Sequence, residues 1–516
     1  MQIILPPKSK KFLVLIPLVL SGYVHLWNPS GFPDVFYDEG YYVRRAMHVM
    51  AGLGPQEGTF YDHPYFGQLF LSGIFSFIGY PSSLNPQATH ESISLLFAVP
   101  RLVMGMLAIV DAFLIYKITE LRYGNNIALL AAILFAVMPF TWMIRRVLLE
   151  SILLPFLLSS ILAACYAAKA AGSKRMLLIL ASGAMLGIAI FTKIPAFAAI
   201  PVIAYLVMQP SARDNGENTT RWKATSLSLW FIPVIMIPAI WPMYAASNGN
   251  FDPWLKDVLW QSRLKNDAIT GMWVPFAEID PVLFAFGAVG LSFTVFRRDY
   301  FLLLWIVPFA ALFSVAGFHQ YFHVLPIVPV FCIASSKWII DATARLLRNK
   351  LGANMRLLCW SPVIALVIFG FTITTILINT DMTSAQIQAA MFGINYVTTH
   401  KDVTITANPA YSWLFPYAFH LPNTLRVYGD IRYFEADTAY VLLLTDAHFE
   451  WDFGGGEFEK VYHATDRIAS FEGKVFQYDQ TKYPYTNMEF NGEGAHIDAR
   501  IGPTSALSPN GIFRQN

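Results

Sequence analysis

Acidic and basic side chains recur where the chain leaves or enters apolar stretches. The pair Asp38-Glu39 follows Tyr37 about ten residues after the first such stretch, and Asp62-His63 stands just before a second one. The other charged residues at stretch ends are Arg101, Arg145, Glu150 and Lys193. A carboxylate can take a proton from a hydroxyl group, and cations bind phosphate. These residue types therefore suit the transfer of a group from a phosphate ester to a hydroxyl acceptor.

Common nucleotide-binding and zinc-hydrolase motifs are missing from the sequence, which restricts the possible donor and reaction. The sequence has no P-loop, no GxGxxG-type nucleotide-binding pattern and no HExxH pattern, which argues against a nucleotide donor and against a zinc hydrolase. A phosphate leaving group needs no strong general acid, because positive charge stabilises it directly. Side chains of a type that could also bind a metal are Asp38, Glu39, Asp62, His63 and Glu150. Since the cations already supply positive charge, we predict no metal and no cofactor.

Every one of these residues also has a structural interpretation. The alternatives are snorkelling for Arg101, Arg145 and Lys193, a helical ion pair for Glu150, a solvated loop for Asp38-Glu39, a turn for His63, and an interfacial position for His319 and His323. A functional interpretation is favoured because the predicted membrane topology places all these charged groups at the same depth, near the outer membrane surface. Ionisable groups in hydrocarbon cost roughly 2.5–3.5 kcal/mol each at mid-depth, so they are expected to pair or to serve a substrate.

The composition is that of a membrane protein. Of the 516 residues, 55% are hydrophobic and only 14% charged, whereas soluble proteins carry roughly 25% charged residues. A net charge of +2 argues against a nucleic-acid partner. The three cysteines, Cys165, Cys332 and Cys359, lie in apolar runs, which excludes a disulfide framework. Soluble, disordered and disulfide-rich classes are therefore excluded.

Apolar stretches long enough to cross a bilayer, about 20 residues each, predict eleven transmembrane helices. They lie near 12–27, 96–116, 126–143, 150–168, 176–192, 194–209, 226–246, 281–296, 300–317, 322–341 and 357–378. The run 69–79 is too short to span and is predicted to lie against the surface or to re-enter the membrane.

Lysine and arginine in alternate short loops set the predicted orientation. The N-terminus is then cytoplasmic, and the loop 28–95, the loop 247–280 and the tail 380–516 are extracytoplasmic. We thus predict a membrane module over 1–379 and a separate domain over 380–516. Helical pattern at 383–400 and strand patterns at Val403–Ala407 and Tyr440–Leu444 predict a small α/β domain there.

Five sequence elements resemble a known family. They read FYDEGYYVRRAMHVMAG, YDHPYFGQL, AVPRLVMGMLAIVDAFLIY, RRVLLESILLPF and GIAIFTKIPAF, in this order. An Asp-Glu pair in the first external loop, an Asp-x-His-Pro-like element, an arginine opening the next span and an R-x-x-L-L-acid run are similar to the dolichyl-phosphate-mannose protein mannosyltransferases. The wider group is the GT-C glycosyltransferases, which includes the lipid A aminoarabinose transferases. The match covers roughly residues 10–210 well.

This resemblance implies an all-α membrane fold of GT-C type and inverting transfer from a polyprenyl- or dolichyl-phosphate sugar. The acceptor would be a hydroxyl of a protein Ser/Thr, a lipid or a glycan on the extracytoplasmic side, and the transferred group a hexose or pentose. By the match, Asp38 would be the general base with Glu39 beside it, and Arg101 would hold the lipid phosphate. The remaining implied substrate-binding residues are His63, Lys193, Asp62, Arg145, Glu150 and Tyr37.

The sequence departs from the mannosyltransferase pattern at His63-Pro64-Tyr65, where that pattern has His-Pro-Pro, and it lacks a long β-rich external insertion. Sugar and acceptor therefore stay open. A second hypothesis is a flippase or transporter of lipid-linked sugars, for which an acid in mid-span, Asp111, is the supporting feature. A third is a non-catalytic relative that only binds such lipids and would not need Asp38.

Overall fold

The structure, a computed structural model, describes residues 12–210, 219–263, 273–315, 320–348, 353–422, 424, 438–446, 449, 455–473 and 496–504. Within these residues the chain is mostly helical and carries one small sheet near its C-terminus. The helices are α1 Leu15–Leu26, α2 Tyr37–Met50, α3 Phe66–Ile78, α4 His90–Tyr123, α5 Asn125–Val137, α6 Leu149–Ala167, α7 Gly172–Thr192, α8 Ile200–Val207, α9 Thr219–Met236, α10 Ile240–Ser247, α11 Phe251–Arg263, α12 Trp273–Ile279, α13 Pro281–Arg297, α14 Tyr300–Val315, α15 Val328–Arg348, α16 Ala353–Ile378, α17 Ser384–Thr399, α18 Pro409–Ser412 and α19 Gly455–Ala464. Short 3₁₀ helices precede three of them, at Pro139–Arg145, Ile194–Ala199 and Tyr321–Ile327.

Five helices are long and apolar enough to cross a membrane, and two bent pairs raise this to seven. The bent pairs are Asn125–Val137 with Pro139–Arg145, at 67°, and Trp222–Met236 with Ile240–Ser247, at 40°. Each break lies at a proline, which cannot donate the helical hydrogen bond. Four shorter apolar helices fall on the other predicted spans. The chain is thus an integral membrane protein, while the count of eleven spans stays a prediction.

The sheet has four strands in the order β1-β2-β4-β3. The strands are β1 Val403–Ala407, β2 Tyr440–Thr445, β3 Asp466–Glu472 and β4 His496–Pro503. β1 runs parallel to β2, with Val403 opposite Tyr440, and β4 is antiparallel to both of its neighbours. The predicted strands and the predicted helix at 383–400 are confirmed, and α17 packs on this sheet. We call α17 and the sheet, with their described connections, the C-terminal unit; the domain boundary at 379/380 stays a prediction.

Two apolar cores organise the described residues. The larger one is formed by the spanning helices. The second joins side chains of α2, α3 and the start of α4 to the C-terminal unit, for example Tyr42 and Met47 with Ile394 and Leu442. The predicted surface segment 69–79 is the helix α3 within this second core. Consequently the helix that carries Asp38 and Glu39 is packed between the bundle and the sheet.

Candidate active site

The acidic pair lies in the first turn of α2. The residue before the helix, Phe36, has an extended backbone, and its N–H donates to the Glu39 carboxylate at 3.1 Å. This is half of a capping box, which satisfies one of the free N–H groups at a helix start. Acidic side chains in a first turn also interact favourably with the helix dipole. The sequence Tyr37-Asp38-Glu39 therefore both starts the helix and presents two carboxylates.

Glu39 is a fully engaged structural carboxylate. Arg101 donates to both of its oxygens, at 2.9 and 2.6 Å, and the Val147 N–H adds a bond at 3.1 Å. Burial by itself raises the pKa of Glu39, but the guanidinium of Arg101 beside it holds that pKa below the usual value. Glu39 thus stays ionised and has no free position at which to accept a substrate proton.

Arg101 is saturated by the same arrangement. Its Nε and Nη2 bind Glu39, while Nη1 and Nη2 also donate to the carbonyls of Pro29, Pro33 and Asp34 at 2.7–3.1 Å. The side chain is 2% exposed. A guanidinium has five N–H donors, and all five are used. Arg101 therefore has no donor left for a lipid phosphate in this structure.

Arg146 is a second structural cation. It is buried, donates to the Asp34 carboxylate and to the Asp34 carbonyl, and lies 3.5 Å from Glu39. Its guanidinium also stacks over the rings of Phe36 and Trp142. Arg101 and Arg146 together hold the loop 29–39 from the bundle side.

Asp38 differs from every other acid nearby. Its side chain is half-buried and accepts no hydrogen bond from the described residues. Burial raises its pKa to about 6, and the charges of Lys193 and His63 keep that pKa from rising further. The carboxylates of Glu150 and Asp62 act in the opposite direction. Asp38 is therefore a carboxylate without a hydrogen-bond partner among the described residues, with a pKa near neutral, and it lies close to Lys193, His63, Glu150 and Asp62.

Asp62 and His63 form a connected pair beside it. His63 Nδ1 lies 3.0 Å from Asp62 Oδ2, and Asp62 also binds Arg45 at 2.7 Å and the Tyr41 hydroxyl at 3.0 Å. Burial alone would raise the pKa of Asp62, but Arg45 and then His63 hold it well below its usual range. A carboxylate beside Nδ1 orients the imidazole ring of His63.

Glu150, Lys193 and His323 form the opposite wall. Lys193 follows the last residue of α7 and donates to Glu150, in the first turn of α6, at 2.5 Å. His323 Nε2 lies 3.7 Å from the same Glu150 oxygen. The other oxygen, Oε2, has no hydrogen-bond partner among the described residues. Among the described residues, Lys193 is thus held near Asp38 by the Glu150 carboxylate.

Two predicted site residues lie apart from this group. The Arg145 side chain is buried beneath the loop before α2, where it donates to the Trp27 carbonyl and lies 5.6 Å from the Phe32 ring centre. Tyr37 is half-buried and stacks on Tyr41 at 6.4 Å. His319 lies outside the described residues.

The structure thus brings together Asp38, Asp62, His63, Glu150 and Lys193, and it places Glu39 and Arg101 behind them. The network also contains His323, for which the sequence favoured an interfacial position, and five residues that were not candidates from the sequence: Asp34, Tyr41, Arg45, Glu57 and Arg146. The adjacent pairs Arg44-Arg45 and Arg145-Arg146 were a usable signal, because consecutive helical or turn residues point to different partners. In the described chain, no three His, Cys, Asp or Glu side chains are grouped as metal ligands; the absence of a metal stays a prediction.

Comparison with known proteins identifies chains of similar sequence and fold. The family model for dolichyl-phosphate-mannose-protein mannosyltransferase matches residues 94–241. Among solved structures, ArnT from Cupriavidus metallidurans, bound to undecaprenyl phosphate, is similar with a TM-score of 0.57 and 13% identity, over 96% of this chain and 98% of that one. The fold is that of the GT-C glycosyltransferases.

The GT-C resemblance stated from the sequence is therefore confirmed at the level of fold. A second GT-C structure, the oligosaccharyltransferase AglB from Archaeoglobus fulgidus with an inhibitory peptide and a dolichol-phosphate, has a TM-score of 0.53 and 13% identity, over 85% of this chain and 69% of that one. No curated protein sequence matches the chain. At these identities the shared property is the fold, and the function has to be argued from the site.

Proposed function

We propose that this protein is an integral membrane glycosyltransferase that moves a sugar from a polyprenyl- or dolichyl-phosphate donor to an acceptor hydroxyl, with Asp38 as the general base. The observation that carries the proposal is the contrast between Asp38 and its neighbours. Glu39 and Asp62 are held ionised by arginines, whereas Asp38 has no hydrogen-bonding partner among the described residues and a pKa raised to about 6. Neighbouring acids with pKa values pushed apart are typical of acid–base catalysis.

The reaction is a single displacement. Asp38 takes the proton of the acceptor hydroxyl while that oxygen attacks the anomeric carbon of the sugar. The bond between this carbon and the phosphate oxygen breaks, and its electron pair stays on the phosphate. A new glycosidic bond forms with inversion, and the products are the glycosylated acceptor, a polyprenyl phosphate and a protonated Asp38. Charge on the leaving phosphate must be stabilised electrostatically.

Lys193 and His63 are the proposed phosphate ligands. Both are close enough to Asp38 to lower its pKa, and among the described residues each has one carboxylate as its ionic partner, Glu150 for Lys193 and Asp62 for His63. Arg101, the first candidate from the sequence, has all five donors engaged, so we assign it a positioning role together with Glu39. Asp62 and Glu150 would orient His63 and Lys193, and Tyr37 and Arg145 stay predictions as substrate-binding residues.

The comparisons support the class of donor. The ArnT structure contains undecaprenyl phosphate, and the AglB structure contains a dolichol-phosphate and a peptide. Both lipids share a long apolar chain and one phosphate, the leaving group of the proposed donor, which suits cations at a membrane boundary. We further propose eleven spans, a cytoplasmic N-terminus, and an extracytoplasmic site and C-terminal unit, on the distribution of lysine and arginine in the loops.

The test is transfer of radiolabelled sugar from polyprenyl-phosphate sugars into membranes, with Asp38→Asn beside the parent protein. Asparagine keeps the size of the side chain and removes the base, and loss of a general base lowers a rate by about 10²–10⁴-fold. Glu120→Gln, a partly exposed residue paired with Lys117 in the last turns of α4, is the matched control and should keep full activity. Equal transfer by Asp38→Asn and parent would refute the base assignment.

A transporter is the second candidate, because Asp111 is fully buried in α4 and neither carboxylate oxygen has a hydrogen-bond partner among the described residues. Unpaired acids inside a membrane mark transport pathways in many proteins. If no donor supports transfer while labelled lipid crosses the bilayer of reconstituted vesicles, the glycosyltransferase proposal fails and this one replaces it.

A further inference from the structure

The segment that carries Asp38 is held by a residue of the C-terminal unit. The side-chain amide of Gln386, on α17, binds both backbone groups of Val35: the Val35 N–H donates to Oε1 at 2.7 Å, and Nε2 donates to the Val35 carbonyl at 2.9 Å. Gln386 is fully buried. The two bonds therefore hold both peptide groups that flank the Val35 Cα, and a buried polar group left without its partner would cost free energy.

A second contact lies on α2 itself. Gly40 packs against the backbone of Pro409 and Ala410 so closely that a Cβ atom would lie 2.0 Å from the Pro409 carbonyl oxygen and 2.6 Å from the Ala410 Cα. Only glycine allows this approach. Gly40 is two residues after Asp38, or about 200° around the helix. The C-terminal unit therefore presses on the side of α2 opposite to Asp38.

The surface that receives Gly40 is itself rigidly built. Asn408 caps the turn Pro409–Ser412 and donates to both oxygens of the buried Asp446, at 2.7 and 2.8 Å. The Tyr411 hydroxyl donates to the same carboxylate at 3.3 Å. A network in which buried polar groups satisfy one another resists displacement. Gln386 and Pro409–Ala410 thus belong to a fixed frame.

We infer that Gln386 and the Pro409–Ala410 backbone position Asp38 for proton transfer, so that the C-terminal unit is a working part of the active site. The bundle holds the loop from one side through Arg101 and Arg146, and the C-terminal unit holds it from the other. Removing the hydrogen bonds from the C-terminal unit should let the first turn of α2 shift, although Asp38, Lys193 and His63 themselves are unchanged. This inference rests on the proposed role of Asp38.

The test uses the full-length chain in three variants. Gln386→Leu keeps the bulk of the side chain and removes both bonds to Val35. Gln386→Glu keeps the acceptor for the Val35 N–H and loses the donor to its carbonyl. Arg500→Leu is the matched control. Arg500 is a buried polar residue on β4 of the same C-terminal unit, and it donates hydrogen bonds to Thr465 and Tyr462 within that unit. Steady-state transfer and amide hydrogen exchange over residues 34–41 are measured on each.

We expect Gln386→Leu to lower kcat about ten- to hundredfold, with the KM for the donor changed less than about threefold, because a misplaced base slows chemistry more than it weakens binding. Gln386→Glu should recover part of the loss, and Arg500→Leu should keep the parental kcat. Equal losses of kcat in Gln386→Leu and Arg500→Leu, or a change in KM alone, would overturn the inference.

Hydrogen exchange separates this inference from the proposed function. Faster exchange over residues 34–41 in Gln386→Leu, with parental exchange in Arg500→Leu, supports the positioning role even if no sugar donor is found. Unchanged exchange in Gln386→Leu overturns it, even where Asp38→Asn abolishes transfer and the proposed function holds.

Discussion

The pH dependence of sugar transfer follows from the environment of Asp38. A base must be ionised to accept a proton, and burial raises the pKa of Asp38 to about 6. The ionised fraction then falls from about nine tenths at pH 7 to about one tenth at pH 5, so kcat/KM should fall about tenfold over these two units. An ordinary aspartate, with a pKa near 3.9, would give almost no change over this range.

Removing a positive charge next to Asp38 should shift its pKa in a predictable direction. Lys193 is the cation that lowers the pKa of Asp38 most, ahead of His63. In Lys193→Gln the pKa of Asp38 should therefore rise, and the acid limb of the profile should move to higher pH. The maximum kcat/KM of Lys193→Gln should fall as well, because Lys193 is a proposed phosphate ligand. The control is Lys117→Gln, whose partner Glu120 is in the last turns of α4, and its limb should stay in place.

The assay is the initial rate of labelled transfer at donor concentrations below KM, from about pH 4.5 to about pH 8.5, where kcat/KM reports groups of the free enzyme. The residual rate of Asp38→Asn should lack the acid limb. An acid limb that persists in Asp38→Asn, or one that moves to lower pH in Lys193→Gln, would show that another group titrates and that the reasoning about Asp38 is wrong.

Three further predictions concern stability. Because the folded state raises the pKa of Asp38, its ionised form opposes folding above about pH 6, and Asp38→Asn should unfold at pH 7 no earlier than the parent. Glu39 has a lowered pKa and contributes stability that is lost as pH falls; Glu39→Gln leaves the buried Arg101 unpaired, at a cost of about 3–5 kcal/mol, and should clearly lower the unfolding temperature. Asp280 caps α13 through the Leu283 N–H at 2.8 Å and binds the Phe140 N–H at 3.2 Å, so Asp280→Ala should destabilise by roughly 0.5–2 kcal/mol or more and Asp280→Asn by less. Thermal unfolding of the purified variants decides each, and an Asp38→Asn protein less stable than Glu39→Gln would contradict the assignment of the two acids.

Much of the fold was accessible from the sequence. Apolar runs predicted where helices lie, since a span needs a minimum length of apolar residues, and alternation with β-branched residues placed Val403–Ala407 at its observed bounds. Breaks inside spans were harder to predict. Pro139 marks where the helix ends after Val137, but the 67° angle of the bend depends on how Pro139–Arg145 packs against other elements.

For the candidate site, residue types indicated which charged groups lie near one another, but not which partner each of them binds. Asp38 and Glu39 are neighbours of equal charge, and only the three-dimensional partners distinguish the free one from the one bound by Arg101. Arg101 was the leading phosphate ligand because of its place in the family pattern; its five donors turn out to be used by Glu39 and by three backbone carbonyls that the sequence does not bring near it. Gln386 carried no signal, since its partner is a backbone amide 351 positions away.

That separation has a consequence for biosynthesis. With ribosomes adding about 5–20 residues per second, roughly 20–70 s pass between the synthesis of Val35 and that of Gln386. During this time α2, which carries Asp38 and Glu39, is already at the membrane, but Gln386 and Pro409–Ala410, which contact it and the preceding loop, have not yet been synthesised. The nascent protein should therefore stay inactive until Gln386 and Pro409–Ala410 have been made, and a premature stop before residue 380 should leave an inserted protein that holds every proposed reacting group and transfers no sugar.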